Sequence, residues 1–394
     1  MTASHPVNVA PAVGAGPAPS PAPHRPDAAT TGTTDPGPQR PAGGPPPREY
    51  GLDALRVVAI CGVVAIHVFG VIVGQDDLRG NLGWWVATAI DIGAIWTVPA
   101  FIMISGAFVL DPRAHRAGPA AFYRKRFARI LPAMIVWHVV YVVVVRMAMR
   151  GEEMSLTLLT RLLIDGKVFT ALYFLWLIAG LYVLAPVLAP FLHAGGRHRA
   201  LVTAAVALGW TMVAYMIPGI ALMLGDSRPN ILTSWNRWWP YVGFFIAGWA
   251  LRRVVLNRLW TALALLGAGL LLAEAIWQFG VAPQYRLLQV TFPVMATGTL
   301  VAAATLLIFM ASVSIGSRVT WRPAVGRLVT RLSDASFGVF LIHLLVFEVF
   351  RQLIPAVEAG RSLEVIGLTY PAVLVISFAV SMVAARIPYV RAVF

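Results

Sequence analysis

The stretch Arg48-Glu-Tyr-Gly-Leu-Asp-Ala-Leu-Arg-Val-Val-Ala-Ile-Cys-Gly-Val-Val-Ala-Ile-His-Val-Phe-Gly70 is apolar enough to enter a bilayer, yet it contains Asp53, Arg56 and His67. An ionisable side chain inside a membrane helix is costly, so it usually marks a functional site. Arg56 and His67 are eleven positions apart, which at about 100° per residue places both on one helix face. At about 1.5 Å per residue they are about 16 Å apart along the axis, about half the hydrocarbon thickness.

The composition predicts a membrane protein. Of the 394 residues, 58% are hydrophobic and only 12% are charged, whereas soluble domains have about 25% charged residues. Cations that flank membrane spans on the cytoplasmic side account for the net charge of +14, so we expect the lipid bilayer and no nucleic acid as a partner. The single cysteine, Cys61, lies in the first apolar run, which excludes an intramolecular disulfide.

Residues 1–48 are rich in Pro, Ala, Gly and Thr and have almost no large apolar side chains. Such a segment buries too little surface to offset its ordering entropy, so we interpret it as a disordered cytoplasmic tail. A protein-binding role for its proline clusters is the alternative. Residues 49–394 form the predicted transmembrane domain, and we see no cleavable signal peptide before it.

Ten apolar runs are long enough, or nearly long enough, to cross a membrane. The fold class is therefore predicted as all-α, a polytopic membrane bundle of about ten transmembrane helices. The runs cover residues 52–74, 84–110, 127–147, 169–192, 200–224, 238–251, 259–280, 287–313, 335–357 and 363–386.

Loop charges predict that both termini are cytoplasmic. With that orientation the inner loops hold seventeen Lys and Arg residues, and the outer loops hold eight, or ten with Arg146 and Arg351 at the outer ends of spans. Cytoplasmic loops carry such an excess of Lys and Arg. Arg56 then lies near the cytoplasmic face and His67 in the outer half of a multi-pass protein of the cell membrane.

His67 is the leading catalytic candidate, because an imidazole can take and return a proton near neutral pH. The alternative is a packing histidine that hydrogen-bonds across the bundle. The presence of Arg56 on the same helix face favours the catalytic interpretation.

A second cluster, Phe122-Tyr-Arg-Lys-Arg-Phe-Ala-Arg-Ile-Leu-Pro132, leads into the third run. Arg126 and Arg129 are three positions apart and share a helix face, with Lys125 beside them. Paired arginines bind phosphate through forked hydrogen bonds. The alternative, which this cluster taken alone favours, is a positive-inside anchor at lipid headgroups.

In the second run, Ser105-Gly106 predicts a close approach between helices, and Pro99 predicts a kink. Nothing local supplies a base to Ser105, so we do not expect it to act as a nucleophile. Asp91, earlier in the same run, is a candidate partner for a buried cation.

Other ionisable side chains within the runs could form an ion pair or a proton path between helices. They are His138, Glu274, His343 and Glu348. No cluster has the spacing of metal ligands, so we expect no metal.

Several short motifs follow one another in a fixed order along the chain. They are Gly51-Leu-Asp-Ala-Leu-Arg56 with His67, Phe101-Ile-Met-Ile-Ser-Gly106, the Phe122–Pro132 cluster, Leu175-Trp-Leu with Tyr182 and Pro186, Tyr241-Val-Gly-Phe-Phe-Ile-Ala-Gly248, and Ser336-Phe-Gly-Val-Phe-Leu-Ile-His343. In this order they resemble the acyltransferase-3 family of integral membrane O-acyltransferases, from about residue 49 to the C-terminus.

The resemblance implies transfer of an acyl group, commonly acetyl from acetyl-CoA, to a hydroxyl of a surface glycan, a lipid-linked sugar or a secreted natural product. It implies that the histidine matched by His67 is essential and that the arginines matched by Arg56, Arg126 and Arg129 take part. The family often has a His before the Trp of the fourth span, where this chain reads Tyr173-Phe-Leu-Trp176. Some members also carry an extracytoplasmic hydrolase-like domain. Without one, we expect the acceptor to reach the membrane core or a partner protein to relay the acyl group.

These observations lead to one hypothesis. Acyl-CoA approaches from the cytoplasm, Arg126 and Arg129 with Lys125 hold its phosphates, and its thioester lies near Arg56. His67 then deprotonates the acceptor hydroxyl or carries the acyl group. A non-enzymatic transporter or channel, with His67 and Glu348 as a proton relay, is the alternative. A scaffold that works through the proline-rich tail is a third class.

Overall fold

The computed structural model describes residues 50–281 and 298–394, and the regular elements in them are helices. The predicted tail, residues 1–48, and the first part of the predicted run 287–313 lie outside the described residues. The helices are α1 (Tyr50–Val73), α2 (Leu82–Ala94), α3 (Thr97–Val109), α4 (Pro112–His115), α5 (Gly118–Val140, continued by a π-helical stretch Tyr141–Met149), α6 (Leu156–Asp165), α7 (Tyr173–Met223), α8 (Val242–Leu251), α9 (Arg258–Val281), α10 (Thr299–Gly316), α11 (Pro323–Leu353), α12 (Pro355–Ala359) and α13 (Leu363–Ala384). Short 3₁₀ turns cover Asp76–Leu78, Thr170–Leu172, Trp239–Tyr241 and Val390–Ala392.

Eight helical stretches in the described residues are long and apolar enough to cross a membrane. They are Tyr50–Val73, Leu82–Val109, Gly118–Met149, Thr170–Ala221, Arg258–Val281, Thr299–Gly316, Pro323–Leu353 and Leu363–Ala384. A backbone that crosses a bilayer must satisfy its polar groups within itself, and helices do so. The predicted all-helical membrane fold is therefore confirmed.

The count of eight differs from the ten predicted runs at two places. The runs 169–192 and 200–224 are joined in α7, and the run 238–251 forms a shorter apolar helix, Trp239–Leu251. With 51 residues, α7 would be about 77 Å long if straight, more than twice the roughly 30 Å hydrocarbon thickness. It is broken at Gly196, whose φ of 60° and ψ of −157° are not helical. Only glycine adopts such a backbone at little cost, so Gly196 divides α7 into two stretches.

The second predicted run is divided into α2 and α3 at Ile95–Trp96. Pro99 lies four positions after Ile95, and a proline ring clashes with the carbonyl four residues before it and lacks an amide hydrogen. The break is the kink that Pro99 predicts.

Helix α1 is the central helix of the bundle, because it packs against α2, α3, α10, α11 and α13. Its apolar side chains are buried on several faces, as Leu55, Ile60, Val64 and Ile72 illustrate. A helix surrounded in this way presents Arg56 and His67 to the protein interior and not to lipid.

Two glycines bring α3 and α8 into backbone contact. A side chain at Gly106 would overlap the backbone of Phe245, and one at Gly248 would overlap the backbone of Met103. Small residues permit such close packing in membranes, so the close approach predicted from Ser105-Gly106 is confirmed. The Ser105 side chain lines the cavity described next.

Candidate active site

One cavity of about 500 Å³ lies between α1, α3, α5, α7 and α11. It contains all five residues that the sequence analysis selected as catalytic or phosphate-binding, namely Arg56, His67, Lys125, Arg126 and Arg129. The other lining residues are Val63, Val98, Phe101, Ile104, Ser105, Phe108, Val109, Ile130, Ala171, Tyr173, Phe174, Ile178, Tyr182, Ser333, Asp334, Ser336, Phe337 and Phe340.

Arg56 is held at the cavity wall by a small polar network. Its Nη1 lies 3.7 Å from Asp53 Oδ1 and donates a hydrogen bond of 3.1 Å to Ser333 Oγ. Ser333 in turn donates to Asp53 Oδ1 at 2.7 Å. The guanidinium carbon lies 6.0 Å from the centroid of the Phe108 ring. Because Asp53 and Ser333 are buried, this network fixes Arg56 and joins the start of α1 to α11.

His67 is half-buried and lines the same cavity three helical turns further along α1. Its ring centroid lies 5.3 Å from that of His343 on α11. His343 has no exposed surface. The helix period therefore places Arg56 and His67 in one cavity, and the tertiary structure adds a second histidine behind the first.

The cationic end of the cavity is built by one face of α5. The Arg126 guanidinium lies 5.7 Å from the Phe122 ring centroid and 5.6 Å from that of Tyr182. The Arg129 guanidinium lies 5.7 Å from the ring centroid of Phe337. Within the described residues no carboxylate forms an ion pair with either arginine. Aromatic rings thus orient both cations without neutralising them.

The loop before α5 is anchored by ion pairs that position this cationic face. Asp111 Oδ1 accepts hydrogen bonds from the backbone and side chain of Arg113, and Asp111 Oδ2 pairs with Arg252 at the end of α8. Burial opposes ionisation of Asp111, but the hydrogen bonds from both arginines outweigh it and hold the pKa of this carboxyl below its usual range. Arg252 also donates to the carbonyl of Ala107, which ties the end of α3 to α8.

Aromatic side chains form the rest of the wall. The ring of Phe174 lies 6.3 Å from that of Phe101 and 5.1 Å from that of Phe340, centroid to centroid. Tyr173 and Tyr182 line the cavity on the same helix, α7. This part of the cavity wall is therefore largely aromatic and apolar.

Sequence reasoning gave no role to several cavity residues, above all Ser333, Ser336 and Phe340. A signal for them does exist in the spacing 333, 336, 340 and 343, which marks one face of a helix. The Ser336 hydroxyl donates to the Ser333 carbonyl, as hydroxyls in membrane helices commonly do.

Glu348 is not placed for the proton relay with His67 that the sequence left open as an alternative. Glu348 forms a forked pair with Arg150, with both N–O distances 2.8 Å, and a weaker contact of 3.4 Å with Arg351. It does not line the cavity, so it is not positioned as a relay partner of His67. Asp91 has no ion pair with a cation among the described residues.

The helices and the cavity together define a polytopic membrane protein whose bundle encloses a cavity with a cationic end and a histidine inside. Residues 49–386 match the acyltransferase-3 family model, described as an acyltransferase domain, and the chain therefore belongs to this family. No curated protein and no solved structure matches the chain. The resemblance inferred from the sequence motifs is confirmed.

Proposed function

We propose that this protein is a membrane-embedded O-acyltransferase. It moves an acyl group, commonly acetyl, from cytoplasmic acyl-CoA to a hydroxyl of a surface glycan, a lipid-linked sugar or a similar acceptor. The observation that carries the proposal is that one and the same cavity brings His67 together with Arg56, Arg126 and Arg129 from two helices.

The cationic face of α5 binds the phosphates of acyl-CoA. Arg126 and Arg129 are oriented by aromatic rings, and Lys125 lines the cavity beside them. Planar guanidinium groups suit phosphate because they donate two parallel hydrogen bonds. With the N-terminus cytoplasmic, two membrane spans precede this face, which then lies at the cytoplasmic surface of the cell membrane, where acyl-CoA is found.

Arg56 acts on the thioester. Its guanidinium is fixed by Asp53 and Ser333 at the wall of the cavity that His67 also lines. Charge that develops on the thioester oxygen is stabilised by a donor already held in place, which needs little reorganisation. The Phe108 ring beside it lowers the local polarity and strengthens this interaction.

His67 is the general base of the transfer. Its imidazole takes the proton of the acceptor hydroxyl, the hydroxyl oxygen bonds to the acyl carbon, and the bond from that carbon to sulfur breaks. The proton then passes from His67 to the CoA thiolate, so the imidazole returns neutral. In the variant in which His67 carries the acyl group, the same bonds form and break in two steps. An acceptor that does not reach the cavity receives the acyl group through a partner protein.

A transporter or channel is the competing class, and it needs a continuous path for protons or substrate. Glu348, the carboxylate considered for such a path, is held by Arg150 and lies outside the cavity. This arrangement supports the enzyme and not the relay.

The test is a thioester-cleavage assay on the purified protein in lipid nanodiscs. We expect acetyl-CoA to be consumed faster than in nanodiscs with His67→Gln protein, and a transporter would leave acetyl-CoA intact. Mass spectrometry of surface glycans and lipids from cells with and without the gene then identifies the acceptor. Intact acetyl-CoA together with unchanged glycans and lipids would refute the proposal.

A further inference from the structure

His343 is a buried imidazole that no step of the proposed transfer uses. It has no exposed surface, and it lies on α11, on the helix face that also carries Ser333, Ser336 and Phe340. Its ring lies 5.3 Å from His67 and 6.1 Å from Phe340, centroid to centroid. The question is what a histidine does at this position, where an apolar side chain would fill the space.

The backbone of α11 fixes the tautomer of His343. Its Nδ1 lies 2.8 Å from the carbonyl oxygen of Phe340 and 3.1 Å from that of Val339. Carbonyl oxygens only accept hydrogen bonds, so Nδ1 carries the hydrogen and donates it. In the neutral ring Nε2 is then an acceptor with an open lone pair.

That acceptor has no hydrogen-bond partner among residues 50–281 and 298–394. A buried polar atom without a partner costs about 1–3 kcal/mol. His138, a buried histidine elsewhere in the same bundle, shows the contrast. Its Nδ1 lies 2.7 Å from the Met134 carbonyl oxygen, and its Nε2 accepts a hydrogen bond of 3.1 Å from Trp176 Nε1. His138 thus has a hydrogen-bond partner at both ring nitrogens, whereas among the described residues His343 has partners at Nδ1 only.

We propose that His343 is the positioning residue of His67. Within the described part of the chain, the structure as it stands does not contain a hydrogen bond at Nε2 of His343. When the His67 ring turns towards α11, one of its N–H groups donates to this Nε2, and the other ring nitrogen of His67 stays unprotonated towards the cavity. With the two ring centroids 5.3 Å apart, nitrogens turned towards each other come within the usual hydrogen-bond distance of about 3 Å.

This contact does for His67 what a carboxylate does for the histidine of a catalytic triad. It selects the reactive tautomer and the ring orientation, and it stabilises the imidazolium that forms when His67 takes the proton of the acceptor. His67 keeps its N–H to His343 throughout, and the transferred proton enters and leaves at the cavity side. No proton is left on His343, and no further co-reactant is needed. The inference rests on the proposed function, because it assigns His67 the role of base.

The kinetic test compares two substitutions at one position. His343→Leu fills the space but removes the acceptor, and His343→Gln supplies an amide oxygen that can accept from His67. We expect His343→Leu to lower kcat by about 10–100-fold, the range for loss of a group that orients a histidine, with the KM for acetyl-CoA unchanged. His343→Gln should recover part of the loss, and His138→Gln should leave kcat near that of the wild type. A wild-type kcat in His343→Leu would overturn the inference, as would equal losses in the leucine and glutamine variants.

A spectroscopic test needs no turnover and no substitution at His343. In ¹⁵N-histidine-labelled wild-type protein in nanodiscs, with the His67 signals assigned by their loss in His67→Gln, we expect one His67 tautomer whose N–H proton correlates with Nε2 of His343. Two exchanging tautomers without this correlation would overturn the inference. The correlation in a protein that does not cleave acetyl-CoA would refute the proposed function and leave the histidine pair standing. Cleavage of acetyl-CoA without this correlation would refute the histidine pair and leave the proposed function standing.

Discussion

Arg56 Nη1 donates a hydrogen bond of 3.1 Å to Ser333 Oγ, although the two residues are 277 positions apart in the sequence. Ser333 donates its own hydrogen to Asp53 at 2.7 Å, so a single hydroxyl connects the arginine of α1 with its carboxylate partner. The spacing along α1 shows only which face of the helix Arg56 occupies. The hydrogen bond to Ser333 fixes where its guanidinium lies.

Ser333→Ala should therefore reduce transfer without abolishing it. Loss of the hydroxyl leaves Arg56 its pairing with Asp53 but removes the link to α11. We expect a drop of about tenfold in kcat/KM, which corresponds to roughly 1.4 kcal/mol, as measured with acetyl-CoA. The matched control is Ser381→Ala, a buried serine of α13 that donates to the Ala335 carbonyl and does not line the cavity. Equal effects of the two substitutions would contradict a specific role for Ser333.

His67→Gln should insert and fold but lose transfer. Glutamine keeps hydrogen-bonding capacity and cannot titrate, so it separates packing from proton transfer. We expect kcat to fall by about 10²–10⁴-fold, the contribution of a general acid–base group, in both His67→Gln and His67→Ala. Binding of acetyl-CoA, measured by calorimetry in nanodiscs, should persist. Transfer near the wild-type rate in the glutamine variant would show that His67 is structural.

Arg126→Ala and Arg129→Ala should each weaken binding of acyl-CoA. Loss of a hydrogen bond to a charged group costs about 1.5–3 kcal/mol, and lysine should restore only part of it because it lacks the planar fork. Arg124→Ala is the matched control, since Arg124 belongs to the same cluster but does not line the cavity. The measurement is the Kd for acetyl-CoA of each variant. An unchanged Kd in both cavity variants would favour the alternative, in which the Phe122–Pro132 cluster only anchors the protein at the membrane surface.

Gly248→Ala should destabilise the bundle. Its new methyl group would meet the Met103 backbone, which cannot move aside as a flexible side chain can, and overpacking of this kind costs about 1–3 kcal/mol. Gly269→Ala, on α9, is the control, because no heavy atom lies within 4 Å of the added carbon. We expect a lower Tm in detergent for Gly248→Ala alone. Equal Tm values would mean that α3 and α8 do not pack as closely as the structure has them.

The orientation of the bundle is tested by labelling single cysteines after Cys61→Ser. A cysteine near Asp76 should react with an impermeant reagent from outside the cell, and one near His115 should react only after the membrane is permeabilised. Arg361 pairs with Asp77, so a cysteine near Arg361 should behave like the one near Asp76. The opposite labelling pattern would contradict this orientation and the entry of acyl-CoA from the cytoplasm.

The sequence by itself determined the class of protein and the faces of individual helices. Apolar runs of membrane length can only be helices, because the bilayer offers no partner to an unpaired backbone group. The period of the helix then places Arg56 with His67, and Arg126 with Arg129, since both relationships depend on spacing within one element. The kink at Pro99 and the close approach at Gly106 were also predictable from the sequence. The first follows from the proline ring and the second from the absence of a side chain in glycine.

Only the tertiary structure decided which side chains of different helices meet. Nothing in the spacing of α1 or α11 indicates that His67 faces His343 or that Arg56 meets Ser333. The sequence allowed Glu348 to pair with a histidine, and only the tertiary structure shows that it pairs with Arg150. These contacts depend on the relative rotation and depth of packed helices. Many side chains fix that arrangement together by close packing, so no local pattern encodes it.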